Sequence, residues 1–352
     1  MFDWLKCGKR KRNPNQVAPC ETLSKKGRRL QPLEFTKGVK FICRFCGGKS
    51  CKSEDWTRHP SPAIQGLHSD WITDEILATQ RPSTALINEF HITKSFTDNF
   101  IFSIFCLQEP GEHPYCGDGI QTQSGFSYNP EEFYSKGIYF YNFGWRDHCT
   151  TENSNILKIC KTIDFAMLDG KKAAFHCHAG RGRTGLIIAA YLMYKNNLTS
   201  KDAIVQFQSR RFGKSLTNSD QVETLKKFEK YLNSMKVIFP DSLAPKNLFS
   251  LSELISRQTK VRPIVKNERK RRIPWMVEAI LTRFSMLINS NLATPESILK
   301  SFWRLNDISF IDMWSENEEK EISKIKAEIN SDRFQISKIS DTRILAQLIL
   351  DL

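Results

Sequence analysis

No apolar run in this 352-residue chain approaches the roughly 20 residues that cross a bilayer; the longest follows Gly185 and ends at Tyr194. A transmembrane segment is therefore not expected. A secretory signal is not expected either, because Lys6 to Arg12 is basic and no apolar core follows it. Phe2 stands where N-myristoylation requires Gly. The ten cysteines follow no disulfide-framework spacing, so reduced thiols and a cytoplasmic setting are the expectation.

What is present is a globular composition, 40% hydrophobic and 26% charged, in a chain long enough for one large or two ordinary domains. The net charge of +14 is uneven: residues 1–40 carry eleven Lys and Arg against three acids. Lys9 to Arg12 and Lys25 to Arg29 lie among Asn, Pro and Gly without helical or strand period, so residues 1–40 read as a mobile basic tail. Such a tail suits acidic lipid, a phosphoinositide-bearing surface or an import receptor; the alternative is a solvated tail with no partner. Nucleic acid is not the expected ligand.

The strongest local signal is His176-Cys177-His178-Ala179-Gly180-Arg181-Gly182-Arg183-Thr184-Gly185. The apolar run Ala173-Ala174-Phe175 leads in as a strand, and Leu186 to Tyr194 leads out as a helix. Strand, glycine-bearing turn and helix together aim backbone N–H groups and a helix N-terminus at a bound anion. Arg183 can close over that anion with two parallel hydrogen bonds. Cys177, at a helix N-terminus beside a fixed positive charge, should be largely thiolate. The bland alternative is a buried Cys at a strand end with an ion-paired Arg.

A second candidate is Asp147, thirty residues before Cys177 on the loop Gly144-Trp145-Arg146-Asp147. Cleaving a phosphate ester leaves an oxyanion that needs a proton, and a carboxylic acid on a loop can supply it. Alternatively, Asp147 caps a helix ahead of Thr150 and Thr151. Glu109, Glu112 and Asp118 are further candidates for the acid. Cys43-x-x-Cys46 with Cys51 and His59 offers a zinc-like ligand set, but the spacing after Cys46 is irregular and these read as plain thiols. No cofactor is expected and no metal is assigned.

Periodicity sets these residues in a fold. Asp70 to Asp74 and Arg81 to Thr84 read as helix starts, and Asn99 to Leu107 as a strand buried on both faces. Gln108 to His113 reads as a turn and Ile138 to Phe143 as a strand. Ile156, Ile159, Cys160, Ile163, Ala166 and Met167 mark a helix stopped at Asp169-Gly170, followed by a strand from Lys171 to His176. Strand, helix and strand predict a parallel crossover with its ligand site at the strands' C-terminal ends. Thr199 to Asp202 opens another helix. After a loop at Ser215–Gln221, Val222, Leu225, Phe228 and Leu232 stripe the next. By spacing, Gln221 either positions a water or is a surface helix residue. The expected division is a tail over 1–40, an α/β domain with an N-terminal extension over 41–239, and a linker with a helical appendage over 240–352. That appendage holds the linker Asp241 to Pro245, a basic cluster Arg269 to Arg272 and a helix from Pro274 carrying Met276, Ile280, Phe284 and Leu287. Helical stretches near 295–305 and 316–328 follow.

From about Gly47 to Leu232 the chain resembles the dual-specificity class of the protein tyrosine phosphatase superfamily. Gln65 to Asp74, Arg81 to Thr84, Leu107 to His113, Gly137 to Asp147 and the Cys177 loop carry the resemblance. It implies a small, twisted, mostly parallel sheet flanked by helices, and hydrolysis through a cysteinyl-phosphate. It assigns the nucleophile to Cys177, the phosphate clamp to Arg183, a hydrogen bond to the leaving thiolate to Thr184, the general acid to Asp147 and water positioning to Gln221. Phosphate would dock on the N–H groups of His178, Ala179, Gly180, Arg181, Gly182 and Arg183. Three positions depart from the pattern: Arg146 replaces a Pro, Arg181 a Leu and Thr217 a Gln. His178 and Arg181 give the loop a basic floor similar to that of phosphoinositide 3-phosphatases, and no Lys-Asn-Arg-Tyr stretch deepens the pocket. Phosphoprotein hydrolysis is the leading expectation. A phosphoinositide phosphatase and a phosphate-binding adaptor are the alternatives, and the resemblance also implies a ciliary or centrosomal setting.

Overall fold

The computed structural model describes residues 48–236, 238–239, 252–254, 256–257, 275–290, 314–330 and 336–351. The basic tail, Cys43 and Cys46, the 241–245 linker, the 269–272 cluster and the 295–305 stretch lie outside the described residues.

The centre is one sheet. Strands β1 (Ser69–Trp71), β2 (Ile76–Thr79), β3 (Ile101–Cys106), β4 (Tyr139–Asn142) and β5 (Lys172–His176) are arranged in the order β1-β2-β5-β3-β4. Only β1 runs antiparallel; β2, β5, β3 and β4 are parallel. The register lines up Thr79 with His176, His176 with Cys106, and Cys106 with Asn142. Four strands therefore end at one level, and the segments leaving them share one edge of the sheet.

Successive side chains on a strand point to opposite faces, and both faces here are covered. Phe105, Phe175, Ile76 and Ala78 face one hydrophobic core, while Ile104, Ala174 and Leu77 face the other. The first core is closed by α4 (Asn153–Ala166), α5 (Arg183–Asn196), α6 (Ser200–Arg210) and α7 (Ser219–Lys236). The second is closed by α1 (Thr84–Glu89), α2 (Ile92–Asp98) and α3 (Glu131–Tyr134). Helix α5 runs through the middle, buried from Arg183 to Tyr194, which explains why its sequence is apolar all round rather than striped. Each fully buried Leu, Ile or Phe there contributes about 1.5–3 kcal/mol.

Local chemistry fixes the element ends. Ser83 accepts the Leu86 N–H and caps α1, Thr199 accepts the Asp202 N–H and caps α6, and Asn197 closes α5 in the left-handed region. Asp169 and Gly170, both at positive φ, stop α4 ahead of β5. One sequence expectation is corrected: Asp70 to Asp74 does not open a helix. Ser69–Trp71 pairs as a strand with β2, and Asp70 is drawn to Arg211 and His59.

Three C-terminal helices, α8 (Trp275–Asn289), α9 (Glu316–Asn330) and α10 (Thr342–Leu350), build a separate core with Ile238 and Phe239. The Asn330 side chain accepts the N–H groups of Ile238 and Phe239 at 2.8 and 2.9 Å and donates to the Phe239 carbonyl at 2.7 Å. No helix among the described residues is long and apolar enough to cross a membrane.

Candidate active site

Every sequence-predicted site residue lies at the C-terminal edge of the sheet. Cys177 follows β5 directly and is buried. Burial alone would raise its pKa, but the Arg183 guanidinium and the Thr184 hydroxyl and N–H outweigh it and hold the thiol below its ordinary value. His176 shapes the approach. Burial pushes its pKa down to about 3, so the ring is neutral. Its Nδ1 donates to the Cys177 carbonyl (3.2 Å), which leaves Nε2 to accept the Tyr128 hydroxyl at 2.6 Å.

The loop after Cys177 is held tightly against the sheet edge. Gly180 has φ +65°, and a Cβ there would stand 2.0 Å from the Thr79 carbonyl oxygen, so only glycine fits. Arg211 braces the same turn, donating through Nε to the Gly180 carbonyl at 2.9 Å and through Nη2 to the Ala179 carbonyl at 3.0 Å.

Arg183 opens α5 fully buried, and two adjacent loops converge on it. Glu112 accepts both of its terminal nitrogens, at 2.8 and 2.7 Å, while Nη1 also donates to the carbonyls of Leu107 (2.9 Å) and Trp145 (2.7 Å). Its Nε is buried with no protein partner among the described residues. Asp147 lies 3.2 Å from Nη2. The Asp147 loop leaves β4 through Gly144, where a Cβ would stand 2.3 Å from the Gln108 carbonyl oxygen. Burial would raise the Asp147 pKa, but the hydrogen bond from His113 (3.1 Å) and the charges of Arg183 and His148 hold it well below the usual carboxylate range. Asp147 does not cap the next helix; Glu152 occupies that position.

Gln221 is not a surface residue. It sits in the first turn of α7, 3% exposed, and a Cβ at Gly182 would stand 3.2 Å from its Oε1, an atom with no protein partner among the described residues. The basic-floor expectation needs correcting at His178. Burial would lower its pKa, but Cys51 and Glu54 raise it to about 9, and its charge is met by Glu54 at 2.7 Å. Arg181 remains beside the loop, with Nη2 3.2 Å from His68 and Nε buried without a protein partner among the described residues.

Sequence reasoning treated Glu112 only as a spare acid and found no role for Glu54, Arg81 or Arg211. Glu54 accepts Arg81 Nε at 2.8 Å, and the other Arg81 nitrogens donate to the carbonyls of Glu112, His113 and Cys116. A carboxylate directly after Pro110-Gly111 was the available signal for Glu112; only its distance from Arg183 distinguishes it from Glu109. Of the zinc-like set weighed around Cys43 and Cys46, the two described members lie apart: Cys51 faces His178, whereas His59 pairs with Asp70 at 2.8 Å in another cluster.

Residues 122–231 match the family model described as dual specificity phosphatase, catalytic domain. The chain is 39% identical over 254 residues to protein tyrosine phosphatase domain-containing protein 1 of Bos taurus, covering 72% of this chain and 31% of that protein. It is 30% identical over 212 residues to the Arabidopsis thaliana phosphatidylinositol 3,4,5-trisphosphate 3-phosphatase and protein-tyrosine-phosphatase PTEN1, covering 58% of this chain and 47% of that one. The crystal structure of Tk-PTP in the active form superposes with a TM-score of 0.38 at 22% identity, over 46% of this chain and 97% of that chain. The chain spans about a third of the length of the domain-containing protein 1 relatives it matches. The match spans the segment that carries Cys177, Asp147, Arg183 and Gln221, and that segment belongs to the dual-specificity class of the protein tyrosine phosphatase superfamily.

Proposed function

We propose that the chain hydrolyses phosphate monoesters on protein side chains through a cysteinyl-phosphate intermediate. The observation that carries this reading is Arg183: a buried guanidinium with two nitrogens committed to Glu112 and a third, Nε, without a protein partner among the described residues, beside a thiol of lowered pKa.

In the proposed sequence, the phosphate dianion docks on the loop N–H groups and on Arg183, and the Cys177 thiolate attacks phosphorus in line. The S–P bond forms as the ester O–P bond breaks, and Asp147 gives its proton to the departing oxygen. Asp147 then takes a proton from a water held by Gln221. The water oxygen bonds to phosphorus, the S–P bond breaks and phosphate leaves. The resting Asp147 is ionised, so it must gain its proton with the substrate. A dianion beside the carboxylate opposes the Arg183 and His113 charges that keep it deprotonated and raises its pKa.

A phosphoinositide substrate is the second reading. Arg181 favours it, as a cation on the loop whose Nε has no protein partner among the described residues, and the Arabidopsis relative's name includes a phosphoinositide activity. Purified protein tested on phosphopeptides, phosphoinositide vesicles and a small aryl phosphate, with acid quench to trap label on Cys177, separates the readings. Label on Cys177 with turnover fastest on phosphopeptide supports the first. Fastest turnover on vesicles moves the substrate to lipid, and no label from any substrate removes the covalent mechanism.

A further inference from the structure

Behind the phosphate loop lies a group of side chains that the proposed reaction does not use. Cys51 and Glu54 come from the segment ahead of β1, Cys116 from the segment between β3 and α3, and His178 from the loop itself. One potential ligand atom from each, two sulfurs, a carboxylate oxygen and an imidazole nitrogen, all lie within 4.8 Å of one another. Cys51, Cys116 and His178 are buried and Glu54 is nearly so.

We propose that Cys51, Cys116, His178 and Glu54 form a structural zinc site that ties the N-terminal extension to the phosphate loop.

The donor set has the right softness and number. Two thiolates, one imidazole and one carboxylate are ligands zinc accepts in four-coordinate sites. The spacing fits as well. A tetrahedron with Zn–S and Zn–N bonds of roughly 2.3 and 2.1 Å has an S-to-N edge of about 3.6 Å, close to the 3.5 Å between Cys51 Sγ and His178 Nε2. Glu54 Oε1 lies 2.7 Å from the same nitrogen, so it must retreat by about 0.7 Å to make the corresponding edge. One imidazole nitrogen thus faces both a sulfur and a carboxylate oxygen, although it carries at most one hydrogen to share between them. A cation at their common centre satisfies both.

The surroundings fit the same ion. Two thiolates and a carboxylate exceed the charge of Zn²⁺ by one, and Arg81, 2.8 Å from Glu54, supplies the balance. Arg81 also donates to the Cys116 carbonyl at 2.9 Å, fixing the backbone beside that ligand. The His113 ring stacks on His178 at 3.8 Å and covers it. Because Glu112 and His113 lie just before Cys116, a bound ion anchors the segment that holds Arg183 and Asp147 in position. This clamp differs from the linear Cys43, Cys46, Cys51 and His59 set, since it takes its third and fourth ligands from distant segments.

The test uses the full chain purified without chelator, with metal content measured by plasma mass spectrometry. Stoichiometric zinc is expected. In the cobalt(II)-exchanged protein, the thiolate-to-cobalt charge-transfer absorption should fall by about half in Cys51→Ala and in Cys116→Ala. Intense visible bands of tetrahedral cobalt in the unmutated chain test the site even if either variant folds poorly. The proposal is overturned if the protein is metal-free and cobalt gives no such bands. It is equally overturned if zinc survives Cys116→Ala but is lost in Cys43→Ser/Cys46→Ser, or if mass spectrometry finds a Cys51–Cys116 disulfide in metal-free protein.

Discussion

Two buried arginines, Arg183 and Arg211, flank the same loop, and both meet a carboxylate and backbone carbonyls. They differ in what is left over. All three nitrogens of Arg211 are engaged: Nε and Nη2 on the loop carbonyls, Nη1 on Asp70 at 2.7 Å and on His68. Arg183 keeps Nε unpartnered among the described residues and has Asp147 beside it. A guanidinium with every nitrogen engaged is suited to holding the loop's shape, whereas one with a nitrogen left over can also receive an anion. Burial and charge are alike in the two, so what separates brace from clamp is one open hydrogen-bonding position.

The largest effect that sharpens this contrast is expected at Cys177, the proposed nucleophile, whose thiol the Arg183 charge helps to hold below its ordinary pKa. Cys177→Ser should abolish turnover below detection while phosphate-ligand binding, read by calorimetry, persists. Retained turnover would remove the covalent mechanism. Next, Arg183→Lys keeps the charge but loses the fork, and kcat/KM should drop on the order of 10³-fold with the circular dichroism spectrum unchanged. The matching substitution on the other side, Arg211→Met, takes the guanidinium from the Asp70 carboxylate and leaves it with His59 and the Phe212 N–H. It should cost stability of about 3–5 kcal/mol in a denaturant titration, with kcat of the folded fraction changed by less than about tenfold. If Arg211→Met lowered kcat as Arg183→Lys does, the distinction between brace and clamp would fail.

Asp147→Asn should slow hydrolysis of an alkyl phosphate by roughly two to four orders of magnitude and that of an aryl phosphate with a good leaving group far less. Its pH dependence follows from the lowered pKa. The ion pair contributes to stability at pH values above the ordinary carboxylate pKa and is lost as pH falls through the lower folded value. Asp147→Asn should therefore flatten the acid limb of the stability curve. The smallest effect is expected at Gln221, where replacement by Ala removes one neutral hydrogen bond to water, about 1 kcal/mol, and should slow breakdown of the phosphorylated enzyme roughly fivefold in a single-turnover quench.

Much of this was legible in the chain because it depends on short-range chemistry. The strand–turn–helix around Cys177 was readable from glycine positions and the apolar runs on either side, and α4 and α7 from their stripes. Asp70 to Asp74 misled, since a polar, turn-rich stretch looks like a helix start until β2 is known to pair with it. His178 misled for the opposite reason: its type and position were read correctly, but its charge is answered by Glu54, 124 residues away.

The sequence by itself determined the strand and helix around Cys177, the glycine-bearing turn between them and the parallel crossover that brings them to a sheet edge. Each follows from residues within a few turns of one another, where backbone geometry leaves few choices. Only the tertiary structure decided which acid clamps Arg183, which arginine stays open and which thiols face His178. Those outcomes depend on partners that chain folding brings within about 3 Å of one another, the range over which a hydrogen bond or ion pair forms and a neighbouring side chain fails to.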